Sequence, residues 1–254
     1  MITISIITIT KNNDAGLLKT YQTVSRLFEL STDEIKFEWV IKSGDQIISN
    51  QVQSILADPL FCGKIIYDNS IDGGIYDAMT KASKRSAGDV LCYMNAGDQL
   101  IPDNFFEMIR FYRNFRSDEA GIVVYGESAW DGEVSLLSKY FKKIHPILGR
   151  VPSHQAMIFS RNLQSKFEFD PYLKYYADMD WKIRLLKSGI QFHKFDKSVC
   201  IGEVGGVSQM MKNIKVLNQR AHEVKYVMGK NYNSLWSWVY FSLFYIWNFR
   251  KIGL

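Results

Sequence analysis

The sequence predicts an α/β fold: a Rossmann-like, mostly parallel twisted sheet with helices on both faces, antiparallel edge strands and a helical C-terminal tail. Three observations lead there. Strand and helix patterns alternate as β-α-β-α-β-α-β over the first hundred residues, the order that builds a parallel doubly wound sheet. The strand at 89–94 is an almost unbroken apolar run, as expected of a strand buried on both faces. At 254 residues the chain suits one large α/β core with appendages.

Ile2 to Thr10 alternates β-branched residues and reads as the first strand; Lys11-Asn12-Asn13-Asp14 ends it and starts a helix to about Leu30. Phe37 to Ile41 is a second strand that stops at Lys42-Ser43-Gly44-Asp45, before a helix over about Ile47 to Ala57. Lys64 to Tyr67 is a short third strand, and Asp72-Gly73-Gly74 leads into a helix that ends before Gly88. Pro102 suits a first helical position and opens a helix to about Arg116. Gly121 to Tyr125 is a strand, and the Asp131-Gly132 turn within Trp130 to Val134 predicts antiparallel edge strands. Lys139 to Pro152 is basic and irregular, and Ser153 to Phe159 returns to a strand pattern. Asp178 to Ser188 reads as a helix closed by Gly189, and Gln191 to Phe195 as a last short strand. After Glu203 to Ser208 come a basic helix to about Met228 and an aromatic tail.

Composition excludes several classes. Forty-seven percent hydrophobic and 22% charged residues, without repeats or low-complexity tracts, describe a globular chain. Cys62, Cys92 and Cys200 are odd in number, far apart and set in apolar surroundings, so neither a disulfide framework nor a zinc site is indicated. The first ten residues lack a basic leader and a cleavage site and alternate like a strand, so a signal peptide is not expected. The net charge of +5 is uneven: from Met211 onward seven basic residues face Glu223 alone, and the first 210 residues carry −1. An anionic surface is the expected partner of that tail, and the body has no nucleic-acid signature.

The sharpest chemical feature is Asp89-Val90-Leu91-Cys92-Tyr93-Met94-Asn95-Ala96-Gly97-Asp98. It reads as a central strand, whose carboxyl end is where open α/β sheets place ligands. Asp98 then points at a cleft and can hold a divalent cation already bound to a diphosphate; it equally fits a residue that opens the helix at Pro102. Asp178 and Asp180 form the second feature. Two positions apart on a helix they diverge by roughly 200°, so they split roles. Asp178 reads as an N-cap, either capping only or also serving as a general base, while Asp180 precedes Arg184 by four and most simply pairs with it. Gly73-Gly74 and Gly205-Gly206 either carry amides up to phosphate oxygens or are turn glycines. His154 starts a strand and reads as structural or as a ligand.

Taken in order, a strand ending in Thr10-Lys11-Asn12, the segments DGGIYDAMTKA (72–82), YMNAGD (93–98), SHQAMIF (153–159) and ADMDWKIRLLKSG (177–189) resemble the family 2 glycosyltransferases of the A-type glycosyltransferase fold. The likeness is strongest to bacterial enzymes of O-antigen, capsule or colanic-acid-type polysaccharide biosynthesis and covers about residues 1–207. It implies a catalytic domain over 1–207, with a nucleotide half (about 1–100) and an acceptor half (about 101–207), and a separate tail over 208–254. By the same resemblance Asp98 binds Mn2+ or Mg2+, with Asn95 in place of the family's first acidic residue and Gly97 where many members carry another Asp. Asp178 is the catalytic base, with Ala177 replacing the Glu before it. Thr10 and Asn12 line the nucleoside pocket, and Ser43 stands where an Asp usually contacts the base. Asp72, Gly73 and Gly74 belong with the donor at the diphosphate-side helix, which Gly74 and Ala78 match and where Thr80 replaces an Asn. His154, Gln155 and Asp180 are assigned to acceptor or diphosphate.

The implied reaction is an inverting transfer from a nucleoside-diphosphate sugar to a lipid-linked glycan acceptor. One base and one metal-binding carboxylate suffice for such a displacement, whereas hydrolases flank the bond with two carboxylates. The run from Leu235 to Phe249, 15 residues, is short of the roughly 20 that cross a bilayer. It is expected to lie on the inner face of the cell membrane, with Trp and Tyr at the headgroups and the flanking Lys and Arg on anionic lipid, or else to pack on the body or in a homodimer interface. A cytoplasmic, peripheral protein follows. Two rivals stay open: a nucleotide-binding scaffold with a degenerate site, motivated by Ser43, Gly97 and Ala177, and a sugar nucleotidyltransferase with the same sheet and metal.

Overall fold

The computed structural model describes residues 1–115, 121–130, 133–134, 151–203 and 214–249. At its centre β1 (Ile2–Thr10) runs parallel between β2 (Ile35–Ser43) and β4 (Val90–Asn95), and β3 (Ile65–Asp68) lies parallel outside β2. Beyond β4 come β8 (Met157–Ser160), β6 (Val123–Trp130), β9 (Phe192–Gly202) and β5 (Gln99–Leu100), with β7 (Glu133–Val134) paired to β6. The short strands β5 and β7 pair antiparallel, but β8 does so inside the sheet, between β4 and β6. The antiparallel edge strands are as expected, and β8 adds an antiparallel strand in the interior. The Asp131-Gly132 turn, the 138–150 stretch and Gly205-Gly206 lie outside the described residues.

Strand alternation divides the interior in two. Ile4, Ile6, Val90, Cys92 and Met94 face one way, against Leu17, Val24 and Phe28 of α1 (Asp14–Glu29), Val52 and Ile55 of α2 (Asn50–Leu56), and Phe105 and Ile109 of α4 (Pro102–Tyr112). Ile7, Ile9, Leu91 and Tyr93 face the other way, against Ala78 and Ala82 of α3 (Ile75–Arg85) and Trp181 and Leu185 of α6 (Ala177–Lys187). Side chains of period two reach both layers, which is why these strands are apolar on both faces.

The local signals place the starts of α1 and α4, whereas α2 starts at Asn50, three residues later than expected, behind a Ser49 cap. The Asn13 side chain accepts from Gly16 N at 2.9 Å to cap α1, and Pro102 is the first residue of α4. Later segments differ more. His154–Ala156 is a turn of 3-10 helix, not strand, closed by Ala156 N donating to Ser153 O at 3.1 Å. A six-residue helix α5 (Arg161–Lys166) follows β8 without a sequence signal. β9 runs on to Gly202 because it pairs with β6 across a bulge, which its exposed Asp196-Lys197 conceals in sequence.

The two C-terminal helices are α7 (Ile214–Asn231) and α8 (Ser234–Phe249). Val224, Val227 and Met228 of α7 belong to the second core, and Tyr240 and Phe244 of α8 pack against it. One face of the aromatic segment therefore does lie on the body. The opposite face leaves Leu235, Trp238, Leu243 and Ile246 exposed. No helix among the described residues is long and apolar enough to cross a membrane.

Candidate active site

β1 and β4 end together, with Ile9 opposite Asn95, and a cavity of about 240 Å³ opens beyond their carboxyl ends. Thr10 comes from β1, Asn95, Ala96 and Asp98 from the turn after β4, His154 and Gln155 from the 3-10 turn, and Tyr76 from α3. Lys174, Tyr175 and Glu203 complete the wall. A more open depression shares Lys11 with it and adds Asn12, Gly44, Asp45 and Gln46.

Asp98 is 4% exposed and held from three sides. Its Oδ2 accepts from Asn95 N and Gln155 Nε2, both at 3.0 Å, and its Oδ1 accepts from Glu203 N at 3.0 Å. Thr20 fixes the backbone by donating to Asp98 O at 2.7 Å. Asp98 is no helix cap: the N-cap of α4 is Ile101. A cation that brings its own oxygen ligands fits this donor set. Among the described residues Oδ1 accepts only the Glu203 amide, and the buried Thr10 hydroxyl on the same cavity has no partner. Among the described residues no group of three His, Cys, Asp or Glu converges as a metal site, so the protein supplies only part of a coordination shell, as Mg2+ sites on substrate phosphates do.

Asp178 lies behind the wall rather than in it. Its place is the first turn of α6, with Tyr176 at the N-cap and no side-chain cap, so the expected capping role falls away. Its Oδ2 accepts from Lys182 Nζ at 2.8 Å and lies 3.4 Å from His154 Nδ1; its Oδ1 accepts from the Tyr76 hydroxyl at 3.0 Å. Burial alone would raise its pKa, but the Lys182 ammonium and the His154 contact outweigh that and hold the carboxyl well below the usual range. Burial and the Asp178 carboxylate raise the Tyr76 phenol. His154 Nε2 in turn is 3.3 Å from Asn95 Nδ2. With the proton on Nδ1 toward Asp178, Nε2 is an acceptor beside the Asn95 amide. The two aspartates thus adjoin one cavity, Asp98 directly and Asp178 through His154 and Tyr76.

Asp180 is not brought to the cavity. Fully buried, it accepts from Arg184 Nε at 2.7 Å and Asn231 Nδ2 at 2.8 Å, tying α6 to α7. At the open depression, Asn12 N donates to Asp45 Oδ2 at 2.8 Å. Ser43 is buried and accepts from Asp45 N at 3.0 Å, so the carboxylate facing the open depression belongs to Asp45, two positions later. Asp72 turns to the fully buried Lys42, 3.4 Å away. The amides of Gly73 and Gly74 donate to Asp77 Oδ2 at 2.7 Å and Asp72 Oδ1 at 3.0 Å. Gly74, at φ +125°, is the N-cap of α3, a conformation that side chains resist.

Sequence reasoning missed Tyr76, Lys182, Glu203 and Asp45. The i,i+4 spacing of Asp178 and Lys182 was a usable signal; the others come together only through the fold. Glu223 of α7 was also silent: it accepts from the amides of Lys174, Tyr175 and Tyr176 at 3.1, 2.8 and 3.2 Å and so holds one cavity wall.

No protein-family model and no curated protein sequence matches the chain. Solved structures do. TarS 1-349 from S. aureus, in complex with UDP-GlcNAc, superposes with a TM-score of 0.66 at 13% identity over 98% of this chain and 73% of its own. A mannosyltransferase from Pyrobaculum calidifontis, in complex with GDP-Man and Mn2+, gives 0.62 at 10% identity over 99% and 76%. Glucosyl-3-phosphoglycerate synthase from Mycobacterium tuberculosis, with Mn2+, UDP and glucosyl-3-phosphoglycerate, gives 0.58 at 14% identity over 91% and 81%. The chain has the A-type glycosyltransferase fold that these enzymes share.

Proposed function

We propose that this chain is a metal-dependent, inverting glycosyltransferase that moves one sugar from a nucleoside-diphosphate sugar to a hydroxyl of a lipid-linked glycan in bacterial surface polysaccharide biosynthesis. The observation that carries the reading is the single cavity at the carboxyl end of the parallel strands, bordered by Asp98 on one side and by His154, backed by Asp178, on another. Structural neighbours in complex with UDP-GlcNAc, with GDP-Man and Mn2+, and with UDP and Mn2+ support it.

In this reading Thr10, Asn12, Ser43 and Asp45 surround the nucleoside, and the 72–74 turn and the first residues of α3 border the diphosphate. Asp98 holds Mn2+ or Mg2+, which when bound neutralises charge on the departing diphosphate. The acceptor hydroxyl gives its proton to the Asp178–His154 pair: His154 Nε2, the nitrogen turned away from Asp178 and beside Asn95, receives it, while Asp178 keeps the opposite ring nitrogen protonated and offsets the imidazolium charge. Gln155 keeps Asp98 oriented. The outward face of α8 rests on the inner surface of the cell membrane, where the lipid-linked acceptor resides.

A panel of nucleotide sugars with Mn2+ or Mg2+ and a lipid-linked acceptor extract, scored by release of free nucleoside diphosphate, tests the reading. Diphosphate release that depends on both donor and acceptor is expected. Pyrophosphate release from a nucleoside triphosphate would instead make it a nucleotidyltransferase, and nucleotide binding without turnover a scaffold.

A further inference from the structure

Gly97 leaves the acidic turn one carboxylate short, and the sheet puts another opposite the gap. β5 and β9 pair antiparallel with Gln99 opposite Ile201 and Leu100 opposite Cys200. Continued by two residues, that register brings Glu203 opposite Gly97. The side chains obey it: a Cβ built on Gly97 would stand 2.1 Å from Glu203 Oε2 and 2.3 Å from its Cδ. The carboxylate of Glu203 occupies the space that a side chain at position 97 would enter. Gly97, at φ +106°, could not readily carry one.

Glu203 also meets Asp98 through its backbone, its N–H donating to Asp98 Oδ1 at 3.0 Å. Its carboxylate is only lightly held. Lys19 Nζ, at 3.2 Å, is an exposed lysine, and Asn13 Nδ2 stands at the 3.5 Å limit of a hydrogen bond. An ion pair with so exposed a lysine, and a contact that long, are weak and exchange readily for a cation. An independent observation points to a missing ligand here: Thr10 lines the same cavity, is 4% exposed, and its hydroxyl has no partner among the described residues.

We propose that Glu203 supplies the second carboxylate of the cation site, replacing from the end of β9 the acid that the turn lacks at Gly97. The proposal rests on the cation-dependent reading above. Two carboxylates, with phosphate oxygens and water, make a shell that a six-coordinate divalent cation accepts.

The test is Mn2+ binding, followed by the loss of the free-ion electron paramagnetic resonance signal on titrating the full chain with Mn2+ in the presence of UDP and, separately, GDP. Glu203→Gln keeps the size and the backbone donor to Asp98, and should weaken Mn2+ binding about tenfold or more, the scale on which metal-site residues act. Glu203→Asp should recover part of that loss, and Lys19→Gln should leave binding intact or tighter. Wild-type affinity in Glu203→Gln with loss in Asp98→Asn overturns the proposal and leaves the cation reading standing. Absence of nucleotide-dependent Mn2+ binding in the wild-type chain overturns both.

Discussion

Asp178 shows how one carboxylate can serve stability and chemistry together. It neutralises Lys182, whose side chain is only 2% exposed, and a buried cation stripped of its partner is costly. Asp178→Asn is therefore expected to lower stability by roughly 3 kcal/mol in urea unfolding, and transfer by about 10² to 10⁴. Adding Lys182→Met should restore most of the stability and none of the activity, which separates the two roles. His154→Gln should lower transfer on a similar scale while leaving the unfolding midpoint near wild type. The pH dependence follows from the lowered pKa. Because the folded-state pKa of Asp178 lies below its unfolded value, the pair contributes fully at neutral pH and its contribution fades as pH falls below the ordinary carboxylate range, through the folded pKa. Wild type should lose more stability than the double variant as pH falls from about 4 towards 2, below the ordinary carboxylate pKa.

Among the elements, α7 links what sequence reading treats as an appended tail to the cavity. Glu223 caps three successive amides in the 174–176 segment, and Arg220 lies 5.0 Å from the Tyr175 ring. Tyr175 and Lys174 line the cavity. Glu223→Ala should loosen that wall. We expect kcat/KM for the acceptor to fall by about ten- to a hundredfold, with nucleoside diphosphate affinity, measured by calorimetry, unchanged. The converse pattern would assign the 174–176 segment to the donor.

For the whole molecule, the decisive surface is the outward side of α8. Leu235, Trp238, Leu243 and Ile246 form an exposed apolar face, and Lys225 Nζ lies 3.2 Å from the Trp238 ring centroid. Apolar and aromatic side chains beside a cation match the interface of an anionic bilayer. Wild-type chain should sediment with vesicles containing anionic phospholipid, and a Trp238→Ala, Leu243→Ser, Ile246→Ser variant should stay in solution with an unchanged melting temperature. A dimer that the variant dissociates, without vesicle binding by either, would make the face a contact between copies.

The first hundred residues could be read because their signals are local: alternating β-branched strands, Asn13 as a cap, Pro102 at a helix start, and a strand running into Asn95-Ala96-Gly97-Asp98. These reflect short-range sterics and hydrogen bonding, so sequence alone determined the sheet, its open end and Asp98 at that end. Only the tertiary structure placed β8 inside the sheet, moved Asp178 behind His154, gave Asp180 to α7 and set Glu203 against Gly97. Each of these depends on strand register or on helix packing between residues far apart in the chain, and no local pattern encodes which distant partner closes such a contact.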